Sequence, residues 1–493
     1  MDKTQLTFNK FQDLARGCTT VPVYKRILAD LLTPVAAWVH LSQKAEYAFL
    51  LESVEKGNQY SRYSYVGINP QKILMHNNGK TTITENGRTI DIDTPFLTLL
   101  REIQSQYNMT KLPGIPSFTG GLVGYLGYET IAWVEDIPIH DESDFDVPDS
   151  VFMLFEDMIA FDHLKGSALV ISNVNVDSGR DLKEQFDEAH ERVDSIGESL
   201  HSDVDYQTPI RVEKSTVSSN FNQDAFESAV LKAKEHIVDG DVFQLVLSQR
   251  FERQTSVEPT TLYRALRTIN PSPYMFHLKI NNFDIIGASP ELLVKVEDGI
   301  VEIRPIAGTR HRGVTEAEDQ VLADDLMSDE KECAEHLMLL DLGRNDVGRV
   351  SEYGSVTIPE NMKIENYSHV MHIVSDVKGK LAKDKDPFDA LMSGFPAGTV
   401  TGAPKIRAME IIHELEQERR DIYSGAVGFF DFTGNVNTCI AIRTMIMKDG
   451  IVHFQSGAGI VHDSDPTKEF EETVNKAKAI MAAIDFAENG LVS

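Results

Sequence analysis

The stretch Thr438-Cys-Ile-Ala-Ile-Arg-Thr-Met-Ile-Met-Lys-Asp-Gly-Ile-Val-His-Phe-Gln-Ser456 holds two apolar runs separated by the turn Lys448-Asp-Gly450. Runs of this kind joined by an Asp-Gly turn are typical of an antiparallel β-hairpin. A second such turn, Glu297-Asp-Gly299, lies between other apolar runs. The stretch therefore predicts strands at Thr438–Met447 and Ile451–Ser456, and it favours antiparallel sheets.

Similar apolar runs recur along the chain and predict further strands: Tyr47–Leu51, Val151–Phe161, Ala168–Val174, Val242–Phe251, Phe283–Gly287 and Gly425–Phe432. Four segments have helical periodicity instead: Ser178–Ser199, Gln223–Asp239, Ala317–Leu342 and Pro466–Glu488. This mixture predicts an α+β fold. We expect large antiparallel β-sheets packed in a sandwich, with the helices on the outer faces.

The segment His201–Asn220 is polar and lacks periodicity. It predicts a connection between an N-terminal region, residues 1–200, and a C-terminal region, residues 221–493. We expect both regions to pack into one intertwined unit.

Composition restricts the partners. The chain of 493 residues has 42% hydrophobic residues and a net charge of −29, from 47 basic and 76 acidic side chains. So acidic a protein is a poor ligand for nucleic acid or an anionic membrane. An anionic substrate would need a local positive site, which a metal ion and a few Lys or Arg side chains could form.

The sequence also predicts a cytoplasmic location. Cys18, Cys333 and Cys439 form no CxxC pair, and an odd number of cysteines favours a reduced chain. The N-terminus has no basic segment followed by an apolar run, so no secretory signal is expected. No run of about 18 apolar residues predicts a membrane span.

Two predicted helices carry glutamates three residues apart, Glu332 with Glu335 and Glu469 with Glu472. Each pair continues an apolar stripe of its helix, so the carboxylates are expected to point inward. Buried carboxylates need a positive partner, and Mg²⁺ prefers oxygen ligands. A solvated helix face is the ordinary alternative for such spacing.

Three glycine-containing segments, Pro305–Thr309, Phe395–Pro404 and Gln455–Gly459, alternate small residues with polar ones. Glycine permits close approach of backbone N–H groups to carboxylate oxygens. None of the three matches a P-loop or a dinucleotide fingerprint. Taken singly, each segment is better explained as a tight turn.

Taken with their flanks, these segments form an ordered set: Pro305–Thr309, Asp329–Met338, Asp341–Asp346, His369–Ser375, Phe395–Lys405 and Gly457–Gly459. The set resembles the chorismate-utilising enzymes, and most closely the large subunits of their anthranilate-forming branch. The resemblance covers nearly the whole chain. It implies that ammonia is added to chorismate and that anthranilate and pyruvate are released.

The resemblance implies a magnesium site, with Glu335 and Glu472 as ligands and Glu332 and Glu469 as supporting carboxylates. The residues that match carboxylate-holding positions are Gly308, Thr309, Tyr423, Arg443, Gly457, Ala458, Gly459 and Lys476. Arg443 has an independent argument, because a guanidinium inside an apolar strand needs an anionic partner. A structural ion pair with a core acid is the alternative for Arg443.

Catalytic roles follow from the same resemblance. Glu291 matches the general acid that protonates the departing ring hydroxyl, and a partly dry pocket would favour its protonated form. His372 matches a histidine beside the ring, and Thr399 would place the leaving side chain. A hydrogen-bonded structural histidine and an exposed turn glutamate are the alternatives for His372 and Glu291.

Two positions favour ammonia as the nucleophile. Relatives that add water have a lysine base where this chain has Gln244, and glutamine cannot accept a proton from water. The relative that makes aminodeoxychorismate has a nucleophilic lysine where this chain has Ala307. No cysteine lies in a Gly-x-Cys-x-Gly elbow, so the resemblance implies a separate glutamine amidotransferase subunit that supplies ammonia.

The resemblance also implies a feedback site for L-tryptophan. Leu50–Ser53, Arg62–Ser64 and Asn270–Phe276 match its segments, with Ser53 contacting the amino acid and Pro273, Tyr274 and Met275 lining the pocket. Two alternatives stay open. One is an enzyme that stops at 2-amino-2-deoxyisochorismate or makes aminodeoxychorismate, and the other is an inactive tryptophan sensor.

Overall fold

The computed structural model describes residues 5–54, 62–141, 143, 146–200, 210–367 and 370–492. Within these residues the helices are α1 Phe8–Ala15, α2 Pro34–Ser42, α3 Phe96–Ser105, α4 Leu182–Ser199, α5 Gln223–Val238, α6 Pro259–Ile269, α7 Glu316–Ser328, α8 Glu330–Gly348, α9 Pro387–Gly394, α10 Lys405–Leu415 and α11 Pro466–Glu488. Short 3-10 helices lie at Tyr128–Trp133 and Gly398–Val400.

The strands of the N-terminal half are β1 Thr20–Leu28, β2 Tyr47–Glu52, β3 Tyr63–Ile68, β4 Lys72–Asn77, β5 Lys80–Glu85, β6 Arg88–Ile92, β7 Gly121–Leu126, β8 Ser150–Phe155, β9 Asp157–Asp162, β10 Ser167–Asn175 and β11 Val217–Ser219. The strands that follow are β12 Gln244–Gln254, β13 Tyr274–Ile280, β14 Phe283–Ser289, β15 Leu292–Glu297, β16 Ile300–Ile303, β17 Ile306–His311, β18 Lys363–Asn366, β19 Val370–Val374, β20 Val377–Lys380, β21 Gly402–Ala403, β22 Ala426–Asp431, β23 Val436–Ile440, β24 Thr444–Lys448 and β25 Ile451–Ile460.

These strands form two large antiparallel sheets and one small sheet. The first sheet has the order β1-β10-β9-β3-β2-β13-β14-β24-β25-β12-β11, with β21 paired to β12. The second has the order β20-β16-β15-β23-β22-β7-β8-β4-β5-β6, and the small sheet has the order β17-β19-β18. The predicted α+β fold with large antiparallel sheets is confirmed.

A continuous core lies between the two large sheets. In β8, Val151, Met153 and Phe155 face this inner core, whereas Phe152 and Leu154 face the helices behind the second sheet. This alternation follows from the two-residue period of a strand. Both faces of β8 are therefore buried.

Helices cover the outer faces of both sheets. The outer core of the first sheet includes Trp38 of α2, Tyr263 of α6 and Ile480 of α11. The outer core of the second sheet includes Leu100 of α3 and Leu391 of α9. In the described part of the chain, none of the helices is both long enough and apolar enough to cross a bilayer.

Each large sheet combines strands from both regions of the chain. In the first sheet β2 pairs with β13, and in the second sheet β7 pairs with β22. Of the predicted connection, residues 201–209 lie outside the described residues, and residues 210–216 form neither helix nor strand.

The chain changes sheet where the sequence predicted continuous strands. The predicted strand Val151–Phe161 is wrong, because β8 and β9 belong to different sheets and the chain crosses over at Glu156. The predicted strand Thr438–Met447 is wrong for the same reason, since β23 and β24 are separated at Ala441–Arg443. Runs buried on both faces show no alternation that would reveal the break.

The local turn and cap signals correspond to the structure. Lys448 pairs with Ile451 across the turn, and Asp449 and Gly450 have φ values of 51° and 77°. The predicted helix Ala317–Leu342 is two helices, because Asp329 ends α7 and caps α8 with its side chain. The helix predicted from Ser178 begins at Leu182, after the cap Asp181.

Candidate active site

The four predicted metal-binding glutamates lie in the first two turns of two helices: Glu332 and Glu335 in α8, and Glu469 and Glu472 in α11. Asp329 fixes the start of α8 by accepting hydrogen bonds from the Lys331 and Glu332 backbone N–H groups. Asp465 accepts a similar bond from the Lys468 N–H at the start of α11. The caps therefore set which side chains of each helix face the site.

Like charges crowd both pairs. Burial raises the pKa of Glu332, and the neighbouring charge of Glu335 raises it further. Burial likewise raises the pKa of Glu469, with a further contribution from Glu472. Both effects disfavour the ionised form, and a nearby divalent cation would reverse them. The carboxylate chemistry therefore fits a hard cation.

The inward orientation predicted for Glu472 and Lys476 is wrong. Their side chains are 47% and 53% exposed, and Lys476 Nζ lies 2.7 Å from Glu472 Oε1. The buried stripe of α11 is the adjacent one, which contains Thr473, Ala477 and Ile480. Glu472 and Lys476 therefore lie at the rim of the site.

The described residues contain no group of three or more His, Cys, Asp or Glu side chains arranged to hold a metal ion. Mg²⁺ commonly keeps several waters and is held by one or two carboxylates together with an anionic substrate. One or two of these glutamates could therefore contribute to such a site.

Gln244 connects the glutamates of α8 to strand β25. Its Nε2 donates a 3.4 Å hydrogen bond to Glu335 Oε1, and a Cβ atom at Gly459 would lie 2.6 Å from the same Nε2. Its Oε1 is buried and has no hydrogen-bond partner among the described residues. An unpaired buried carbonyl oxygen is costly, so it marks a place where a ligand donor would be favoured.

The absence of a side chain at Gly457 lets Tyr423 Oη approach the backbone of β25 closely. A Cβ atom at Gly457 would lie 2.9 Å from Tyr423 Oη, and Lys476 Nζ donates to the Gly457 carbonyl at 3.0 Å. Burial raises the pKa of Tyr423 to about 12, so its hydroxyl stays a hydrogen-bond donor. The Ala458 side chain instead packs in a core with α5 and α10, so only its backbone can serve the site.

Glu291 lies where the chain passes from β14 to β15, and thus from one large sheet to the other. Burial raises its pKa to about 7, opposed by a hydrogen bond from Thr399 and by the charges of Arg443 and Lys476. Thr399 Oγ1 donates to Glu291 Oε1 at 2.9 Å. A carboxylic acid with this pKa can release a proton near neutral pH.

Arg443 lies at a second crossing, and its predicted place inside a strand is wrong. It has a φ of 50° between β23 and β24, and its carbonyl accepts a hydrogen bond from the Ala288 N–H at 3.1 Å. Burial lowers the pKa of Arg443, and Glu291 opposes that shift. Among the described residues, no carboxylate oxygen lies within 4.0 Å of its guanidinium nitrogens. A ligand carboxylate would supply the missing partner.

His372 lies on the small sheet with Gly308 and Thr309. Its Nδ1–H donates to the Gly308 carbonyl at 2.8 Å and lies 3.1 Å from Thr309 Oγ1. Burial lowers the pKa of His372, so the ring is neutral and its lone pair is on Nε2. Gly308 has a φ of 67°, and a Cβ there would lie 3.2 Å from Glu332 Oε2. His369, in the same predicted motif, lies outside the described residues.

The residues that were predicted to bind L-tryptophan lie on two adjacent strands and the segments next to them. In the register of β2 and β13, Glu52 is opposite Met275, and the Val54 N–H donates to the Ser272 carbonyl at 3.3 Å. Ser53 Oγ is buried and has no hydrogen-bond partner among the described residues. Pro273 and Tyr274 are half-buried, whereas Met275 lies within the core.

Arg62 donates a hydrogen bond to Asp162, and Ser64 Oγ lies 3.5 Å from Glu52 Oε1. The predicted segment Arg62–Ser64 therefore lies beside the end of β2. Between that motif and Ser53, residues 55–61 lie outside the described residues.

One group behind the site was not predicted. Arg420 is fully buried and pairs with Glu416 through Nε and Nη2, at 2.7 and 2.6 Å. Its guanidinium carbon lies 5.7 Å from the centre of the Tyr423 ring. The spacing of Glu416 and Arg420 was the available signal, but it occurs just after the end of α10.

The chain is similar to known proteins over nearly its whole length. A family model described as chorismate binding enzyme matches residues 46–482. The anthranilate synthase component 1 of Acetivibrio thermocellus is 45% identical over 491 residues, which cover 98% of each chain. That of Aquifex aeolicus is 42% identical over 98% of each chain.

Solved structures agree. Anthranilate synthase component I from Streptococcus pneumoniae TIGR4 is 38% identical, with a TM-score of 0.77, over 92% of this chain and 99% of that one. The menaquinone-specific isochorismate synthase of Escherichia coli shares the fold at 16% identity, with a TM-score of 0.72 over 96% and 98% of the two chains. The chain therefore belongs to the family of chorismate-binding enzymes. Within that family it groups with the sequences named anthranilate synthase component 1.

Proposed function

We propose that this protein is the synthase subunit of a Mg²⁺-dependent anthranilate synthase that converts chorismate and ammonia into anthranilate and pyruvate. The observation that most supports this proposal is the environment of Glu291. This buried acid has a pKa of about 7, and the charges of Arg443 and Lys476 act on it. An acid beside two cations suits a substrate with two carboxylates and a poor leaving group.

Glu291 is the general acid of the first step. As ammonia forms a bond to one end of the diene, the ring hydroxyl departs at the other end and takes the proton of Glu291, leaving as water. The hydrogen bond from Thr399 fixes the orientation of the carboxyl group. A positioned acid of this kind contributes about 10²–10⁴ in rate.

Ammonia is favoured over water by the residues at two positions. Gln244 offers an unpaired carbonyl oxygen that can accept an N–H of ammonia, but it has no basic group to activate water. Ala307 cannot act as a covalent nucleophile. Direct addition of ammonia is the route that these residues support.

The substrate carboxylates are held by the positive and small residues of the cleft. Arg443 provides a planar fork for one carboxylate, and Lys476 provides a mobile ammonium at the rim. Tyr423 Oη, which lies close to the Gly457 backbone, is a hydroxyl donor for the other carboxylate.

Mg²⁺ would be held by Glu335 and Glu472, with Glu332 and Glu469 in support. When bound, the ion neutralises negative charge on the glutamates and on a ring carboxylate. The pKa values of Glu332 and Glu469, raised by burial and by like charge, support this assignment.

His372 is the base for the second step. Its neutral ring directs Nδ1–H to Gly308, so Nε2 can remove the ring proton beside the new amino group. The C–O bond to the enolpyruvyl side chain then breaks, and the side chain leaves as pyruvate after protonation at its methylene carbon.

A separate glutamine amidotransferase would supply the ammonia. Burial raises the pKa of the Cys439 thiol to about 12, which makes it a poor nucleophile. Cys18 and Cys333 are half-buried and lie in no nucleophile elbow. High ammonium salt should therefore replace the partner.

L-Tryptophan would inhibit by binding at Ser53. The unpaired Ser53 Oγ would provide the polar end of the pocket, and the half-buried Pro273 and Tyr274 would provide its apolar walls. Tyr274 pairs with Ser289 across β13 and β14, two residues before Glu291. The pocket is thus one strand away from the proposed acid.

The test is incubation with chorismate, MgCl₂ and ammonium chloride, with anthranilate fluorescence and pyruvate release measured together. We expect both products in equal amounts, loss of activity with EDTA, and inhibition by tryptophan. Glu291→Gln should remove turnover, whereas Glu297→Gln, an exposed glutamate at the end of β15, should not.

The alternatives give different products. An aminated ring compound without pyruvate would replace the proposal with a 2-amino-2-deoxyisochorismate synthase. No consumption of chorismate under these conditions would contradict the proposed function.

A further inference from the structure

We propose that Arg420, together with Glu416, is a positioning residue that holds Thr399, Gln244 and Tyr423 in their working arrangement without touching the substrate. The inference rests on the proposed function for its catalytic readout, and it has a second readout that needs no turnover.

All five N–H donors of the Arg420 guanidinium are used. Nε and Nη2 donate to the two oxygens of Glu416, and Nη2 also donates to the Val246 carbonyl at 2.7 Å. Nη1 donates to the Val400 carbonyl at 2.7 Å and to Ser424 Oγ at 3.4 Å. The planar fork therefore fixes the directions of several partners at once.

These acceptors belong to three separate segments, and each segment carries a residue of the site. Val400 follows Thr399 directly, Ser424 follows Tyr423, and Val246 lies two residues after Gln244 on β12. The Val246 N–H also donates to the Thr401 carbonyl at 2.8 Å, which ties two of the segments together. Arg420 is the group that joins all three.

Glu416 extends the arrangement to β25. Its Oε1 accepts hydrogen bonds from the Ser248 N–H at 2.7 Å and from Ser248 Oγ at 2.9 Å. Gln455 Nε2 donates to the same Ser248 Oγ at 2.8 Å. Gln455 lies two residues before Gly457, so the ion pair reaches the strand beside Lys476 as well.

Burying this ion pair costs free energy. The side chains of Arg420 and Glu416 are 1% and 7% exposed, so both charges are removed from water. Well-packed apolar residues of similar volume often give equal or greater stability than a buried ion pair. What apolar residues cannot provide is directional contact with the Val246 and Val400 carbonyls. The distinctive contribution of Arg420 is therefore orientation.

The catalytic test compares Arg420→Lys with Arg253→Lys. Arg253 is also buried, pairs with Asp485 and Glu488, and lies about 30 Å along β12 from Gln244. We expect similar decreases in Tm for the two variants. Turnover should fall about ten- to hundredfold in Arg420→Lys only, because lysine cannot direct five hydrogen bonds.

The second measurement reports the protonation state of the Glu291 carboxyl group. Infrared difference spectra against Glu291→Gln report its carboxyl group without any substrate. Thr399 contacts this carboxyl group, and the charges of Arg443 and Lys476 act on it. If Arg420 holds Thr399, then Arg420→Lys should shift the titration of Glu291 to higher pH, in the direction of Thr399→Val. The double variant should shift it no further than Thr399→Val does.

An unshifted Glu291 titration, or shifts that simply add in the double variant, would overturn the proposal even if turnover falls. Turnover and titration changes of equal size in Arg253→Lys would also overturn it. If Arg420→Lys does not fold, the double variant Arg420→Met with Glu416→Met removes both charges and replaces it in the same comparison. Wild-type protein that lacks turnover would contradict only the proposed function, since the infrared result decides this inference separately.

Discussion

Replacing Thr399 with valine isolates the hydrogen bond that sets the proton affinity of the proposed acid. Thr399→Val keeps the shape of the side chain and removes the 2.9 Å bond from Oγ1 to Glu291 Oε1. That bond favours the ionised carboxylate, and it holds the pKa of Glu291 down to about 7 against the effect of burial. The variant should therefore have a higher pKa.

The size of the shift follows from the energy of such a bond. A hydrogen bond to a charged group is worth about 1.5–3 kcal/mol and one to a neutral group about 1, so the difference is roughly one pKa unit. A general acid acts when protonated, so wild-type activity falls as pH rises through about 7. With a pKa near 8, the protonated fraction at pH 8 rises from roughly a tenth to about a half.

The assay is kcat/KM for chorismate between pH 6 and pH 9, at a constant concentration of free ammonia. This parameter reports the acid of the free enzyme. We expect the ratio of variant to wild-type kcat/KM to rise about fivefold between pH 6 and pH 8, whatever its absolute value.

Thr401→Val is the matched control, because the Thr401 hydroxyl donates to the Ala397 carbonyl in the same segment and not to Glu291. A ratio for Thr399→Val that stays constant with pH, or that falls, would refute the reasoning.

Three further predictions concern the metal, the inhibitor and the core. Glu335→Gln or Glu472→Gln should reduce turnover by at least 10³-fold, measured with saturating MgCl₂, while circular dichroism stays unchanged, because each removes a proposed ligand charge; Mg²⁺-dependent activity at the wild-type level would contradict this. Ser53→Phe should relieve tryptophan inhibition and leave kcat within about twofold, because the ring fills the pocket; full inhibition would show that the pocket is elsewhere. Gly124→Ala should lower the free energy of unfolding by about 3 kcal/mol in urea titrations, because its Cβ would overlap the Val151 carbonyl. Gly197→Ala, inside α4 and with no atom within 4 Å of the added Cβ, should instead leave stability unchanged or raise it by up to about 1 kcal/mol.

Local chemistry made part of this fold predictable. The turn at Lys448-Asp-Gly450 was predicted because two consecutive residues with positive φ favour Asp or Asn followed by Gly. Helix α11 was predicted from Pro466 to Glu488 because a proline starts it and an apolar stripe continues through it. These signals act within a few residues and do not depend on the rest of the chain.

Other features depend on partners that are distant in sequence. The break at Arg443 is invisible locally, because the flanking residues are buried whichever sheet they join. Arg420 reaches the Val246 carbonyl across 174 residues of sequence, so no spacing rule could reveal it. The exposure of Glu472 depends on which of two neighbouring stripes of α11 packs inward, and Thr473 and Ala477 occupy that stripe.

The site residues were predicted through the family resemblance, and their roles remain predictions. In the structure Glu335, Gln244 and Gly459 lie close together. Thr399 is hydrogen-bonded to Glu291, and His372 is hydrogen-bonded to Gly308. Ala458 and Met275 are directed into apolar cores, and Glu472 and Lys476 are largely exposed. Residue type and order along the chain thus predicted the site residues, but they did not predict the hydrogen bonds that hold them.

The pairing of β2 with β13 and of β7 with β22 has a consequence for synthesis on the ribosome. When the first 200 residues have been translated, two apolar strand edges lack their neighbours, and β22 is made only near the end of the chain. Leu50 and Leu122 are buried in the folded molecule, but until these later strands are made they remain exposed to other chains. We expect folding yield in the cell to depend on chaperone supply and translation speed, and far less on the final stability of the enzyme.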